Sequence, residues 1–338
     1  SQFPLALRSF KEKKLDAALT RYNEADLWQQ PEIQQALSSN SEKNQVFIVV
    51  GTSVVEVGRD HDYDWAIAEP SSLRAIIQLA GRVQRHRKKE PETPNVVVLN
   101  KNIRAWRGDK VAYCKPGFET PSLPLISHDL NDLLDNELVD ISAIPRITSP
   151  VLFNKDYQQS EKSNVANQAV SFAVQEHRAL RITLDSLPPD QGTKATPFYR
   201  SNKHASLWWN EHADWNAEYI KQTKFRKSQP QEDFILRCVD GELEWVQWDS
   251  TRYPAVYTPT NNVFKRYSIH LSERISWWIE QEPVAIFEAL AEEFGLSVQR
   301  ASERFGAVSL GVNDGDDLQW CWHPQVGIFS GKYVENCG

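Results

Sequence analysis

The sequence predicts an α/β lobe built on a parallel sheet, then a linker with a long helix, then a mixed α+β domain. Three observations lead there. Strand-like apolar runs alternate with helical patterns between Val46 and Leu99, as they do where parallel strands are joined through helices. Pro116, Pro121, Pro124, Pro145 and Pro150 then punctuate a stretch of weak periodicity that runs to about Thr196. Beyond it lie nine of the twelve tryptophans, and apolar alternation flanks Asp240-Gly241. The division that follows is 1–110, 111–196 and 197–338.

Residues 3–23 carry an amphipathic pattern in which Phe10, Leu15, Ala18 and Leu19 form the apolar face. Pro31 opens a second short helix through Leu37, since a first-turn proline loses no helical hydrogen bond. Polar residues from Ser38 to Asn44 form a loop before a strand at Val46–Val50. A second strand is expected at Trp65–Ala68. A helix follows in which Leu73, Ile76, Ile77, Leu79, Ala80 and Val83 share one face, and the same helix is expected to present Gln78, Arg82 and Arg85. Asn95–Leu99 reads as a short buried strand. Inside the linker, Ser163–Leu187 has helical periodicity and is stopped by Pro188-Pro189. In the last segment, Asp240-Gly241 joins strands Ile235–Val239 and Leu243–Trp248 as a two-residue hairpin. Helices are expected at Pro283–Phe294 and Ser297–Phe305.

Composition narrows the function classes. The net charge of −7 excludes a uniformly basic nucleic-acid coat, yet Ser71–Lys115 holds eleven Lys or Arg against three acids. The basic character is local. Cys114, Cys238, Cys321 and Cys337 show no CxxC spacing, so no zinc site is expected and a reducing cytoplasmic location is. No apolar run approaches membrane-spanning length. The chain opens at Ser1 inside a helical pattern and holds no methionine, and we expect a piece of a longer polypeptide.

The chemistry concentrates between Val46 and Arg87, in VFIVVGTSVVEVGRDHDYDWAIAEPSSLRAIIQLAGRVQRHR. Arg82 and Arg85 are spaced to bring two fixed charges to one polyphosphate. Thr52–Asp64 and Gln78–His86 resemble motifs V and VI of superfamily 2 helicases. The wording GRDHDYDWAIAEPSS is similar to that of the helicase-nuclease of type I CRISPR systems, in the subtype I-F form often fused to the small adaptation protein. The match is strongest over 46–88 and weaker toward the C-terminus.

That resemblance implies that the lobe is the C-terminal part of a second RecA-like helicase lobe. It implies that Arg82 and Arg85 are arginine fingers, with Gln78 near the γ-phosphate of ATP and Gly58 and Asp60 approaching the nucleotide. Thr52 and Ser53 fall where the family touches the backbone of single-stranded DNA, although Ser53 stands where Asp or Gln is commoner. ATP and Mg²⁺ would be held mainly by an upstream lobe, and nuclease metal ions by an upstream domain. Implied partners are single-stranded DNA, the CRISPR RNA-guided surveillance complex and adaptation proteins. From charge, Lys224 and Arg226 beside Trp208, Trp209 and Trp215 are further candidate contacts to nucleic acid.

Other features read as bland. Gly327–Tyr333 resembles a phosphate loop but is one residue short and ends in Tyr. The His61-Asp62 and His128-Asp129 dipeptides are too short to define a metal site. Single tryptophans are read first as core residues. The chain contains neither a Gly-x-x-x-x-Gly-Lys-Ser/Thr loop nor an Asp-Glu box. Two functions of different class remain: half of an ATPase site in a 3′-to-5′ DNA translocase coupled to a nuclease, or a binding module without turnover. A generic superfamily 2 motor is a further reading of the parent.

Overall fold

The computed structural model describes residues 2–56, 59–87, 90–114, 117–121, 123–125, 127–134, 172, 176, 231–249, 252, 256–260, 263–311 and 320–331. In chain order these form α1 (Leu5–Leu19), α2 (Glu24–Trp28), α3 (Pro31–Ser39), β1 (Ala66–Ala68), α4 (Leu73–Ala80) and β2 (Val96–Val98). Two one-turn helices follow, α5 (Ile103–Trp106) and α6 (Leu130–Leu133). The strands of the C-terminal part begin with β3 (Gln231–Val239), β4 (Glu242–Asp249), β5 (Val256–Pro259) and β6 (Phe264–Arg266). Helices α7 (Pro283–Phe294) and α8 (Val298–Phe305) precede β7 (Ala307–Gly311), β8 (Trp320–His323) and β9 (Gly327–Ser330). The chain divides into two compact units: Ser1–Ala18, Asn23–Ile48 and Lys227–Gly338 in one, and Leu19–Tyr22 with Val49–Arg226 in the other.

In the second of these units β1 and β2 pair in parallel, with Ile67 opposite Val97. Ala68 and Val98 turn to the side packed by α4, whose Leu73 and Ile76 join Ala112, Tyr113, Leu130, Leu133 and Phe172 in one apolar core. Ile67 (57 % exposed) and Val97 (53 %) lie on the other, open face, so β2 is not the buried strand its sequence suggests. Helix α4 starts at Ser72, whose hydroxyl accepts the Ala75 N–H at 3.1 Å. Glu176, a helical residue of the linker, accepts the N–H groups of Leu73 (3.0 Å) and Arg74 (3.3 Å). Two donors that no helical carbonyl reaches are thereby satisfied by a carboxylate that the helix dipole favours. Phe172 and Glu176, both helical, are the described residues of the helix expected at 163–187; the remainder lies outside the described residues.

The other unit centres on an antiparallel sheet of order β5-β4-β3-β7. Asp240 (φ 50°) and Gly241 (φ 84°) make the expected two-residue hairpin, with Val239 opposite Glu242. Both positive φ values suit the turn type that matches strand twist. Helices α7 and α8 stand where the periodicity places them, and Ser297 caps α8 by accepting the Arg300 N–H at 3.2 Å. A Cβ on Gly306 would lie 2.3 Å from the Leu236 carbonyl oxygen, so the α8–β7 junction packs against β3 at a distance only glycine permits. Trp245 stacks on Phe264 at 4.2 Å and meets Trp322 edge-on at 5.9 Å. These two tryptophans are core residues. β9 is an ordinary strand paired with β8, which removes the phosphate-loop resemblance of its first four residues.

Helix α1 joins this unit through its first turns. Leu7 is fully buried with Leu236, Phe287 and Leu310, and Gln2 pairs with Ile328. Helix α3 begins at Pro31 as expected. The expected strand at Val46–Val50 is absent. A strand exists only through a ladder, and no neighbour pairs with this run among the described residues. Instead Phe47 meets the Trp278 ring at 5.6 Å and the Ile48 carbonyl accepts Trp278 Nε1–H at 3.3 Å.

Candidate functional site

Helix α4 ends at Ala80, and Gly81 and Arg82 turn the chain back beside the Asp-rich segment that precedes β1. Tyr63 N–H donates to the Arg82 carbonyl and Gln84 N–H to the Tyr63 carbonyl, each at 2.8 Å. Gln84 takes φ 52° to complete the turn. Residues 82–87 therefore run alongside 60–64, and alternation brings the carboxylates of Asp60, Asp62 and Asp64 to Arg85 and Arg87. The expectation that Arg82 and Arg85 project from one helix is corrected here. The helix ends at Ala80, the chain turns through Gln84 at φ 52° before Arg85, and the two guanidinium groups reach different acceptors.

Arg82 donates from Nε (3.3 Å) and Nη2 (3.2 Å) to the Glu56 carbonyl oxygen. That fork ties the segment after Thr52 to the segment after Gln78. Arg85 donates from Nε to Asp60 Oδ1 at 2.6 Å, and its side chain is 44 % exposed. Asp60 also accepts the Tyr22 hydroxyl on Oδ2 at 2.8 Å, and His86 Nε2 stands 3.1 Å from Oδ1. Tyr22 stacks on the His86 ring at 4.0 Å with 23° between planes. The Arg21 N–H donates to His86 Nδ1 at 3.1 Å, which leaves the ring hydrogen on Nε2; that buried nitrogen lies close to Asp60 but makes no hydrogen bond among the described residues. The Tyr22 hydroxyl, the nearby His86 ring and the Arg85 guanidinium hold the Asp60 carboxyl far below the usual carboxylate range. The same Asp60 raises the Tyr22 phenol.

A second layer lies behind. Asp62 is fully buried and accepts Arg87 Nε (3.1 Å), Arg87 Nη2 (2.8 Å) and the His86 N–H (3.1 Å). Asp64 is shared by Arg87 (2.5 Å) and Arg21 (3.0 Å). Burial opposes the charge on Asp64, but those two guanidinium groups pull its carboxyl below the ordinary value. The Arg87 charge is thus spent inside the protein, whereas Arg85 sits at the surface.

Of the other expected site residues, Gln78 is exposed on α4, and Thr52 is exposed just before a tight turn at Ser53–Val55. Gly58, Lys224 and Arg226 lie outside the described residues, as do Trp208, Trp209 and Trp215. Sequence reading does not single out Tyr22, His86 or Arg87, and weighs Asp62 only as half of the His61-Asp62 dipeptide. For Asp62 and Arg87 the period-two alternation was an available signal; Tyr22, thirty-eight residues from Asp60, left none.

Neither histidine dipeptide forms a metal dyad. His61 Nδ1 faces the Tyr63 hydroxyl at 2.9 Å while Asp62 serves Arg87. His128 Nε2 lies 2.8 Å from the buried Glu119, which also accepts the N–H groups of Ala112, Tyr113 and Leu125, and Asp129 caps α6. Among the described residues no group of three His, Cys, Asp or Glu side chains is placed to hold a metal ion, and no helix there is long and apolar enough to cross a membrane.

Two family models match the chain. Residues 1–88 match the one described as CRISPR-associated nuclease/helicase Cas3, C-terminal. Residues 238–330 match that of the CRISPR-associated Cas3 subtype I-F/YPEST-like C-terminal domain. The chain is 41 % identical over 334 residues to a CRISPR-associated nuclease/helicase Cas3 subtype I-F/YPEST of Pectobacterium atrosepticum. It is 33 % identical over 332 residues to the protein of the same description from Pseudomonas aeruginosa. Each alignment covers 97 % of this chain and 28 % of the relative, so the chain spans under a third of the length of the curated relatives it matches.

Proposed function

The chain corresponds to the C-terminal part of the CRISPR-associated nuclease/helicase family of subtype I-F/YPEST, and from that premise we propose that it supplies one half of an ATPase site. The parent would be an ATP-driven 3′-to-5′ translocase on single-stranded DNA, coupled to degradation of DNA marked by the RNA-guided surveillance complex. Phosphoryl transfer spreads negative charge over the γ-phosphoryl oxygens, and guanidinium groups placed there lower the barrier. The observation that carries this reading is the way Arg85 is held. Its Nε is fixed by Asp60, while Nη1 and Nη2 have no hydrogen-bond partner among the described residues. A planar fork held from the side in this manner presents two parallel donors to a phosphate.

In the same proposal Arg82 sets the spacing between the two motif segments and contributes a second charge, with Gln78 near the γ-phosphate and Gly58 with Asp60 near the nucleotide. ATP and Mg²⁺ would be bound mainly by residues outside this chain. Thr52, Ser53, Lys224 and Arg226 would contact the DNA backbone. The linear division into lobe (1–110), linker (111–196) and tryptophan-rich domain (197–338), and a cytoplasmic location, belong to this reading. A binding module that docks the surveillance complex or adaptation proteins without turnover is the alternative.

The test is DNA-stimulated ATP hydrolysis by the full-length protein. Arg85→Ala is expected to lose roughly 10³-fold or more in rate, with ATP binding retained. Near-normal turnover in both Arg85→Ala and Arg82→Ala would favour the binding module.

A further inference from the structure

A guanidinium at the end of a four-bond flexible stem contributes to a transition state only to the extent that its position is fixed beforehand. Arg85 is 44 % exposed, and its side chain has one polar anchor among the described residues, Asp60. Asp60 is itself 45 % exposed and could turn about its own side-chain bonds. Its neighbours restrict that motion. The Tyr22 hydroxyl holds Oδ2 at 2.8 Å, so Oδ1 is left facing Arg85 at 2.6 Å and His86 at 3.1 Å. Tyr22 is 74 % exposed, and its one ring contact among the described residues is the stack on His86, with centroids 4.0 Å apart and 23° between planes. His86 is almost wholly buried and anchored at its other nitrogen by the Arg21 N–H.

We infer that Tyr22 and His86 are positioning residues for Arg85, acting through the Asp60 carboxylate to aim the guanidinium at a bound polyphosphate. The inference rests on the reading of Arg85 given above and extends it to two residues that would act through Asp60. The depressed Asp60 carboxyl and the raised Tyr22 phenol both accord with a carboxylate that stays charged and hydrogen-bonded. The arrangement also separates the three arginines by task. Arg82 is bound to a backbone carbonyl, Arg87 to Asp62 and Asp64, and Arg85 to a surface acid whose other oxygen is held by the Tyr22 hydroxyl.

The experiment uses the full-length protein, with single-stranded DNA and MgATP. Tyr22→Phe keeps the ring on His86 and removes only the hydroxyl. It is expected to lower kcat about tenfold, with KM for ATP changed less than about twofold and the melting temperature unchanged. His86→Phe, which keeps a ring under Tyr22, is expected to keep more activity than His86→Ala. The decisive measurement is a double-mutant cycle. If Tyr22 works through Asp60, Tyr22→Phe costs nothing further in an Asp60→Asn background. Full kcat in Tyr22→Phe, or an additive loss in the double variant, overturns the inference. Arg85→Ala separates it from the reading beneath it. An inactive Arg85→Ala beside a fully active Tyr22→Phe removes only the positioning role, whereas an active Arg85→Ala removes both.

Discussion

Arg85 donates from Nε to Asp60 at 2.6 Å, whereas Arg82, three residues earlier, donates twice to the Glu56 carbonyl. The first contact is a surface pair; the second is structural and partly buried. Exposed ion pairs contribute about 0–1 kcal/mol, whereas hydrogen bonds from a charged donor contribute about 1.5–3 kcal/mol. Arg82→Ala is therefore expected to lower stability by about 1–3 kcal/mol and Arg85→Ala by under about 1 kcal/mol. Urea unfolding of both variants checks the order, and equal losses would contradict this division of roles.

Residues 1–338 alone are expected to hydrolyse no ATP, since arginines without a phosphate loop and Mg²⁺ ligands have no bound phosphoryl to stabilise. Sustained Mg²⁺-dependent turnover by the purified fragment would end the half-site reading.

Charge reversal at Lys224 and Arg226 is expected to weaken single-stranded DNA binding by the full-length protein and to flatten its salt dependence. Each lost phosphate contact should remove roughly 0.7 from the slope of log affinity against log salt. Unchanged affinity and slope would transfer these residues to a protein-docking role.

Lys11 gives a pH prediction. Burial lowers its ammonium from 10.5 to about 8, and Nζ donates to the Gln325 carbonyl at 2.6 Å. Between about 8 and 10.5 the unfolded chain binds more protons at this position than the folded one, so folding is favoured as pH rises through that window. The rising contribution should vanish in Lys11→Met. Denaturant melts of both proteins at several pH values measure it, and identical pH profiles would refute the assignment.

Local signals carried much of the C-terminal unit. The Asp240-Gly241 turn, the proline that opens α7 and the Ser297 cap each act within a few residues, and each appears where it was expected. Val46–Val50 failed because a β-rich run specifies the capacity to pair, and pairing needs a neighbour. Arg82 and Arg85 are legible in the sequence, but their geometry is not. Helical spacing was extended past Gly81, and the turn that replaces the helix depends on Tyr63 across the chain. Tyr22 was invisible because its role comes from a hydrogen bond across thirty-eight residues, which no periodicity records.

Glu176 has a consequence for anyone who would cut this protein into parts. It comes from the segment that sequence alone reads as a connector, yet its carboxylate closes the first turn of α4, the helix that carries Gln78. Truncation ahead of it would leave the Leu73 and Arg74 amides facing water or nothing, and would strip Phe172 from the core around Tyr113. A tether can be shortened or replaced by a flexible linker with little effect on what it joins. This segment cannot, because α4 borrows its starting cap from it, and a lobe trimmed at residue 110 would lose order at the helix that leads directly into Arg82 and Arg85.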